Sequence, residues 1–214
     1  SEHENDRSVI RIESSFTAGS VASATGNTIS FAPISLNSTA DDTGVVVTVA
    51  APIRNAKVHV NQNKITINRG SVRTRALSLL HGLPGSNTTD SLLSLGGNCM
   101  LWENDQIAHL PHSTDHPALV RLDQHSIVRS VLDISNNHLV SSSVKRLNAE
   151  AILSTAPITF DALSTIDLRC STFGRDALLF RISGITTPFG AATWLDTPDE
   201  SFGASTCAAP SESF

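Results

Sequence analysis

The chain has 214 residues, the size of one large domain, and can bury a core without metal or disulfide staples. Apolar residues make up 40% and charged residues 16%, while Ser and Thr together supply 49 of the 214 positions, which favours a β-rich globular protein over disorder or coiled coil. A formal charge of −5 with only three lysines (Lys57, Lys64, Lys145) excludes a domain that grips nucleic acid through a broad basic surface, and no run reaches the roughly 18 apolar residues of a membrane helix.

In chain order, the first eight residues are polar and acidic, and residues 1–15 read as an N-terminal arm. Ile29 and Phe31, then Ile34 and Leu36, flank Pro33 as short strands. The β-branched run Val45-Val46-Val47-Thr48-Val49 would lose rotamer freedom in a helix and suits a sheet. Val58 and Val60 alternate with Lys57, His59 and Asn61, and the alternation resumes after Gln62-Asn63 as Lys64 to Asn68, so the segment reads as a hairpin with one wet face.

Thr74 to His81 carries Ala76, Leu77, Leu79 and Leu80 and stops at Gly82 with Pro84 beyond, the order of a helix stop. Thr89-Asp90 could cap a short helix over Ser91 to Leu95, and Ser143 to Leu153 is a third helical candidate. Leu119 to Leu122, Ile127 to Ile134, Ile158 to Phe160, Ile166 with Leu168, and Leu178-Phe180-Ile182 continue the strand pattern. Residues 199–214 lack any sustained period and read as a C-terminal tail. No internal repeat emerges. The expected architecture is all-β: a jelly-roll β-sandwich of about eight antiparallel strands over residues 16–198, with one or two short connecting helices.

Three cysteines, Cys99, Cys170 and Cys207, form no metal-finger spacing and read as buried free thiols in a reducing compartment. The chain opens Ser1-Glu2-His3 without Met or an apolar leader, as expected if Met is trimmed or the chain is cut from a longer precursor.

The densest group of potential ligands is His109, His112, Asp115 and His116, of types that suit zinc. Pro111 and Pro117 oppose the helix that the spacing of His112 and His116 would need, so a solvated loop is the expectation, with no metal and no cofactor. There is no GxSxG elbow, no GxGxxG and no phosphate loop, so no catalytic residue is nominated and the chain is expected not to be an enzyme. Arg69, Arg73 and Arg75 form the one tight basic patch, read as salt-bridging.

Phe160-Asp161-Ala162-Leu163-Ser164, followed by Thr172-Phe173-Gly174-Arg175-Asp176-Ala177, resembles two motifs of plant picorna-like virus coat proteins, FDAYxR and FYGRxS of nepoviruses and their relatives. Leu163 stands for the first Tyr, Thr172 for the second, and Ala177 for Ser; the match covers about twenty residues. The resemblance implies a jelly-roll coat subunit of a small icosahedral RNA virus, like the nepovirus and cheravirus type of secovirids. Such a subunit assembles with copies of itself and sibling coat proteins in the virion, and in host cytoplasm during assembly, with little direct contact to the enclosed RNA and none to membrane. The alternative is a carbohydrate-binding β-sandwich module or viral fibre head, with Trp102 and Trp194 as candidate stacking residues. A metal hydrolase using the histidine cluster is the third.

Overall fold

Alternation of apolar and polar residues specifies strands with one face inward, but it does not say which strand pairs with which. The computed structural model describes residues 6–31, 42–67, 74–102, 118–141, 150–154, 158–167, 171, 178–182 and 193–195. Strands β1 (Asp6–Ile12), β2 (Val21–Thr25) and β3 (Thr28–Phe31) open the chain. They are followed by β4 (Asp42–Val49), β5 (Ile53–Arg54), β6 (Lys57–Asn61) and β7 (Lys64–Ile67). Next come β8 (Thr74–Gly82), β9 (Thr88–Thr89), β10 (Leu92–Ser94) and β11 (Cys99–Trp102). Then β12 (Ala118–Leu122), β13 (Ser126–Val128), β14 (Val131–Asp133) and β15 (His138–Ser141) repeat the order. The series ends with β16 (Glu150–Ser154), β17 (Thr159–Phe160), β18 (Thr165–Asp167), β19 (Leu178–Ile182) and β20 (Thr193–Leu195).

Every strand pairing among the described residues is parallel. Sheet A is ordered β1-β4-β8-β12-β16-β19, sheet B β5-β9-β13-β17, sheet C β2-β6-β10-β14-β18-β20 and sheet D β3-β7-β11-β15. The chain visits A, B, C and D in turn and then returns to A one strand further along, so the molecule is a parallel β-solenoid. Each coil advances it by about 4.8 Å, one strand spacing. Ala22, Val58, Leu93, Leu132 and Ile166 are successive partners in sheet C, at spacings of 36, 35, 39 and 34 residues.

This overturns the antiparallel jelly roll. Gln62 is not the tip of a hairpin: it takes φ 56°, and that single left-handed residue turns the chain from β6 in sheet C to β7 in sheet D instead of back on itself. Thr74 to His81 is strand, not helix. Ser78, Leu79, Leu80 and His81 are all buried, as are Val45 to Val49, so sheet A is covered on both faces and its strands read as continuous apolar runs without period-2 contrast. The proposed helix over Ser91 to Leu95 contains β10, and the residues of the third that are described, 150–153, lie in β16. No helix occurs among the described residues, and none therefore is long and apolar enough to cross a membrane. Asp6–Ile12, inside the segment read as an arm, pairs with β4; residues 199–214 lie outside the described residues.

Inward residues from all four sheets form one continuous core, including Val47, Ile53, Val58, Ile65, Leu93, Met100, Ile127, Leu132 and Phe160. Each such large side chain contributes about 1.5–3 kcal/mol. Cys99 is in a disulfide, against the expectation of free thiols; its partner lies outside the described residues.

Candidate functional site

A solenoid repeats its turns as well as its strands, so a side chain at one turn position recurs as a column along the axis. At the turn between sheets C and D, a left-handed residue precedes an asparagine in four coils: Gly26 and Asn27, Gln62 and Asn63, Gly97 and Asn98, Asn136 and Asn137. The asparagines point inward and stack. Asn27, Asn63 and Asn98 each donate both backbone N–H and Nδ2 to the Oδ1 of the next carboxamide, at 3.0–3.1 Å. Asn98 Nδ2 also reaches Val60 O at 2.7 Å and Leu95 O at 2.9 Å, and the Asn137 N–H closes the column on Ser171 Oγ. This column satisfies backbone groups buried in the core; it is structural.

The turn between sheets B and C has a second column of left-handed residues, Gly19, Asn55, Asp90 and Arg129. Just inside it runs a serine ladder: Ala56 N–H donates to Ser91 Oγ, Ser91 N–H to Ser130 Oγ and Ser130 N–H to Ser164 Oγ, at 3.0–3.3 Å. Ser91 and Ser130 hydroxyls donate in turn to Thr89 O and Val128 O. The ladder fixes the turns so that the outer column faces solvent in register.

Outside the ladder lies an open groove of about 700 Å³, lined by Gly19, Val21, Asn55, Lys57, Asp90 and Arg129 among others. Asp90 and Arg129, from neighbouring coils, form a bidentate pair, Nε to Oδ1 and Nη2 to Oδ2, both at 2.7 Å. The hydrogen bond from Arg129 holds the Asp90 carboxyl below its usual range, and the same bond raises Arg129. Arg129 N–H donates to Asp161 Oδ1 at 2.9 Å. Partial burial pulls Asp161 upward, but hydrogen bonds from the Ser164 hydroxyl and the Arg129 and Leu163 N–H groups outweigh it, so Asp161 is lowered. Lys57 is exposed and lines the groove, with no ion pair among the described residues. The groove therefore offers an ammonium, a carboxamide, a clamped guanidinium–carboxylate pair and the apolar side chains of Val21 and Leu92.

Two further polar clusters are sealed. Thr48, His81 and Arg121 hold the same register position in β4, β8 and β12. His81 Nε2 lies 3.1 Å from Asp123 Oδ2, and Arg121 Nε 3.3 Å from the same oxygen but out of line for a hydrogen bond. Thr48 Oγ1 is buried with no hydrogen-bond partner among the described residues. The second cluster is His125, wedged between Ser86 Oγ (3.1 Å from Nδ1) and Thr88 Oγ1 (3.0 Å from Nε2). Because the Ser86 hydroxyl donates to Leu83 O at 2.5 Å, Nδ1 carries the proton and Nε2 accepts from Thr88. Burial pushes His125 down to about 4, so the ring is neutral at pH 7. Ser86 and His125 resemble a nucleophile–base pair only in identity: the hydroxyl gives its proton to a carbonyl, and both residues are buried.

The residues singled out from sequence distribute unevenly. His109, His112, Asp115, His116, Arg69, Arg73 and Phe173-Gly174-Arg175 lie outside the described residues; Arg75 falls in β8, Trp102 in β11 and Trp194 in β20. Among the described residues no group of three or more His, Cys, Asp or Glu could hold a metal ion. Phe160, Asp161 and Ser164 are placed: Phe160 is buried in the core, while Asp161 and Ser164 brace the turn behind Arg129. Asp90 and Arg129 were missed by sequence reasoning, because 39 residues separate the pair and only the coil register brings them together. Neither the known protein families nor the curated proteins nor the solved structures include a match to this chain.

Proposed function

We propose that this chain is a β-solenoid binding protein that recognises an extended, hydroxyl-rich polymer, a polysaccharide, along the outer turn between sheets B and C. The observation that carries the reading is the groove itself: one solvent-facing column, Gly19, Asn55, Asp90 and Arg129, set at one residue per coil and flanked by Lys57. A polymer laid parallel to the axis meets an equivalent position every ~4.8 Å, so a chain of repeating units fits such a column better than a compact ligand does. The adjoining outward face of sheet C adds hydroxyl and amide groups, with Ser94 Oγ donating to Asn61 Oδ1 and a Ser23–Thr25 hydroxyl pair.

The reading is one of binding without catalysis: among the lining side chains the guanidinium and carboxylate are committed to each other, and no nucleophile is paired with a base. It keeps the carbohydrate ligand expected of the alternative sequence reading and moves it from sandwich loops to a solenoid flank. The coat-subunit reading loses the jelly roll it was built on, and two of the residues behind its resemblance, Asp161 and Ser164, already have a role in bracing a turn.

Affinity electrophoresis through gels carrying neutral, uronate-bearing and sulfated polysaccharides tests the proposal. Retardation by at least one polymer is expected, lost in Lys57→Ala and in the double variant Asp90→Ala/Arg129→Ala. Migration unchanged in every gel, or retardation equal in wild type and both variants, refutes it.

A further inference from the structure

The sequence contains two Asn-x-Ser/Thr triplets: Asn37-Ser38-Thr39, outside the described residues, and Asn87-Thr88-Thr89, which enters β9 at the corner between sheets A and B. Alternation along the extended backbone divides the second triplet between two faces. Thr88 points inward and is fully buried, with Oγ1 3.0 Å from His125 Nε2, while Asn87 is exposed and Thr89 half-buried on the opposite face. The next coil orients the Asn87 side chain: Ser126 N–H donates to Asn87 Oδ1 at 3.0 Å. A backbone N–H can face only the carboxamide oxygen, so the amide nitrogen Nδ2 is the atom left without a hydrogen bond among the described residues. Thr89 uses its carbonyl to accept from Asn55 N–H and the Ser91 hydroxyl, and its own hydroxyl has no hydrogen bond among the described residues. The corner just before is roomy: Pro84 and Gly85 are exposed, and a Cβ at Gly85 would meet nothing within 4 Å. Cys99, later in the same coil, is in a disulfide, a bond that forms and persists in oxidising, secretory compartments.

We infer that Asn87 is an acceptor for N-linked glycosylation, in a chain that folds in an oxidising secretory compartment. The exposed amide and the disulfide are independent observations, and both belong to that setting. Asn87 Nδ2 attacks the anomeric carbon of an N-acetylglucosamine carried on a polyprenyl diphosphate. The N–C bond forms, the C–O bond to the diphosphate breaks, the polyprenyl diphosphate leaves with the bonding pair, and the Nδ2 proton passes to a base of the transferase. Transfer takes place on the extended nascent chain, before β9 pairs. The folded coil then keeps the product outside, because the attached sugar replaces a hydrogen on Nδ2 and Oδ1 still accepts from Ser126 N–H. Three residues of extended chain, about 10 Å, separate Asn87 from Asp90, so the glycan stands beside the groove and the inference does not depend on what the groove binds.

The experiment is secretion of the full chain from cultured animal cells, followed by peptide mapping by mass spectrometry before and after treatment with a peptide N-glycosidase. The peptide containing Asn87 should carry a hexosamine-based glycan, and enzymatic release should leave an aspartate where Asn87 stood. Asn87→Gln and Thr89→Ala should each abolish modification of that peptide, and Thr89→Ser should retain it. Thr89→Ala leaves the hydrogen bond from Ser126 to Asn87 in place, and circular dichroism of each secreted variant separates loss of the acceptor from loss of the fold. An unmodified Asn87 in the secreted, folded chain overturns the inference, whatever the state of Asn37. So does Cys99 recovered from that chain as a free thiol, and so does a chain that the cells retain unfolded although it folds when made in the cytosol.

Discussion

Acid should weaken this fold through one side chain, His125. The ring is buried between Ser86 and Thr88, both its nitrogens are engaged in the neutral form, and burial holds its pKa at about 4 against an ordinary value of 6.5. A depressed histidine favours the native state while the unfolded ring is also neutral, above about pH 6.5, and that advantage is lost as pH falls towards 4, where only the unfolded chain has taken up its proton. The gap between about 4 and 6.5 corresponds to a ceiling of about 3.4 kcal/mol, of which about 2.5 kcal/mol is gone by pH 4.5. That is a large fraction of the 5–15 kcal/mol typical of a domain.

The measurement is urea denaturation of wild type and His125→Gln at intervals from pH 7.5 to 4.5, comparing the two extrapolated stabilities at each pH. Other groups, including the lowered Asp90 and Asp161, titrate in both proteins and largely cancel in the difference. Wild type should begin more stable and lose about 2.5 kcal/mol of that lead across the range. The His125 ring resonances should show no titration above about pH 5. Parallel stability curves, or a ring that titrates near 6.5, would refute the reasoning.

Other expectations follow from the columns and the turns. Asn98→Ala removes a buried carboxamide that receives two hydrogen bonds and donates to two carbonyls and to Asn137, and should cost about 3 kcal/mol or more, whereas Asn27→Ala, at the exposed end of the same column, should cost under about 1 kcal/mol; equal losses in thermal melts would contradict a coil-to-coil ladder. Gly82→Ala should cost about 1–3 kcal/mol, because a Cβ there would stand 2.8 Å from His125 Nδ1 and 3.1 Å from Leu122 Cδ2. Denaturation midpoints would reveal it. Cys99→Ser, or reduction with dithiothreitol, should lower stability by about 2–4 kcal/mol, and peptide mapping of the non-reduced chain should recover Cys99 cross-linked; a free thiol at Cys99 would count against it.

Which segments become strands was legible in the sequence; which strands they meet was not. Val58-His59-Val60 and Lys64-Ile65-Thr66-Ile67 alternate as they would in a hairpin, and only the φ of Gln62 distinguishes a corner from a reversal. Leu79-Leu80 misled for the opposite reason, since burial of Ser78 to His81 on both faces erases the alternation that marks a strand. A signal for the solenoid is nonetheless present in the sequence. Ala22-Ser23-Ala24-Thr25-Gly26-Asn27-Thr28-Ile29, Val58 to Ile65, Leu93 to Met100 and Leu132 to Leu139 are four gapless copies of apolar-x-apolar-x-x-Asn-x-apolar. Their unequal spacings hide them from a search for a fixed period. The groove was beyond reach of sequence, because Asn55, Asp90 and Arg129 share no local motif and become neighbours only when coils stack.

The asparagine column described above also shapes how the molecule would respond to force. Hydrogen bonds within it join one coil to the next, so a pull along the long axis loads these junctions in series, like links in a chain, and the weakest yields first. Extension should therefore proceed as a staircase of small steps. The outermost link, Asn27 to Asn63, is the natural place for the first one, and damage there would leave the links further along still closed.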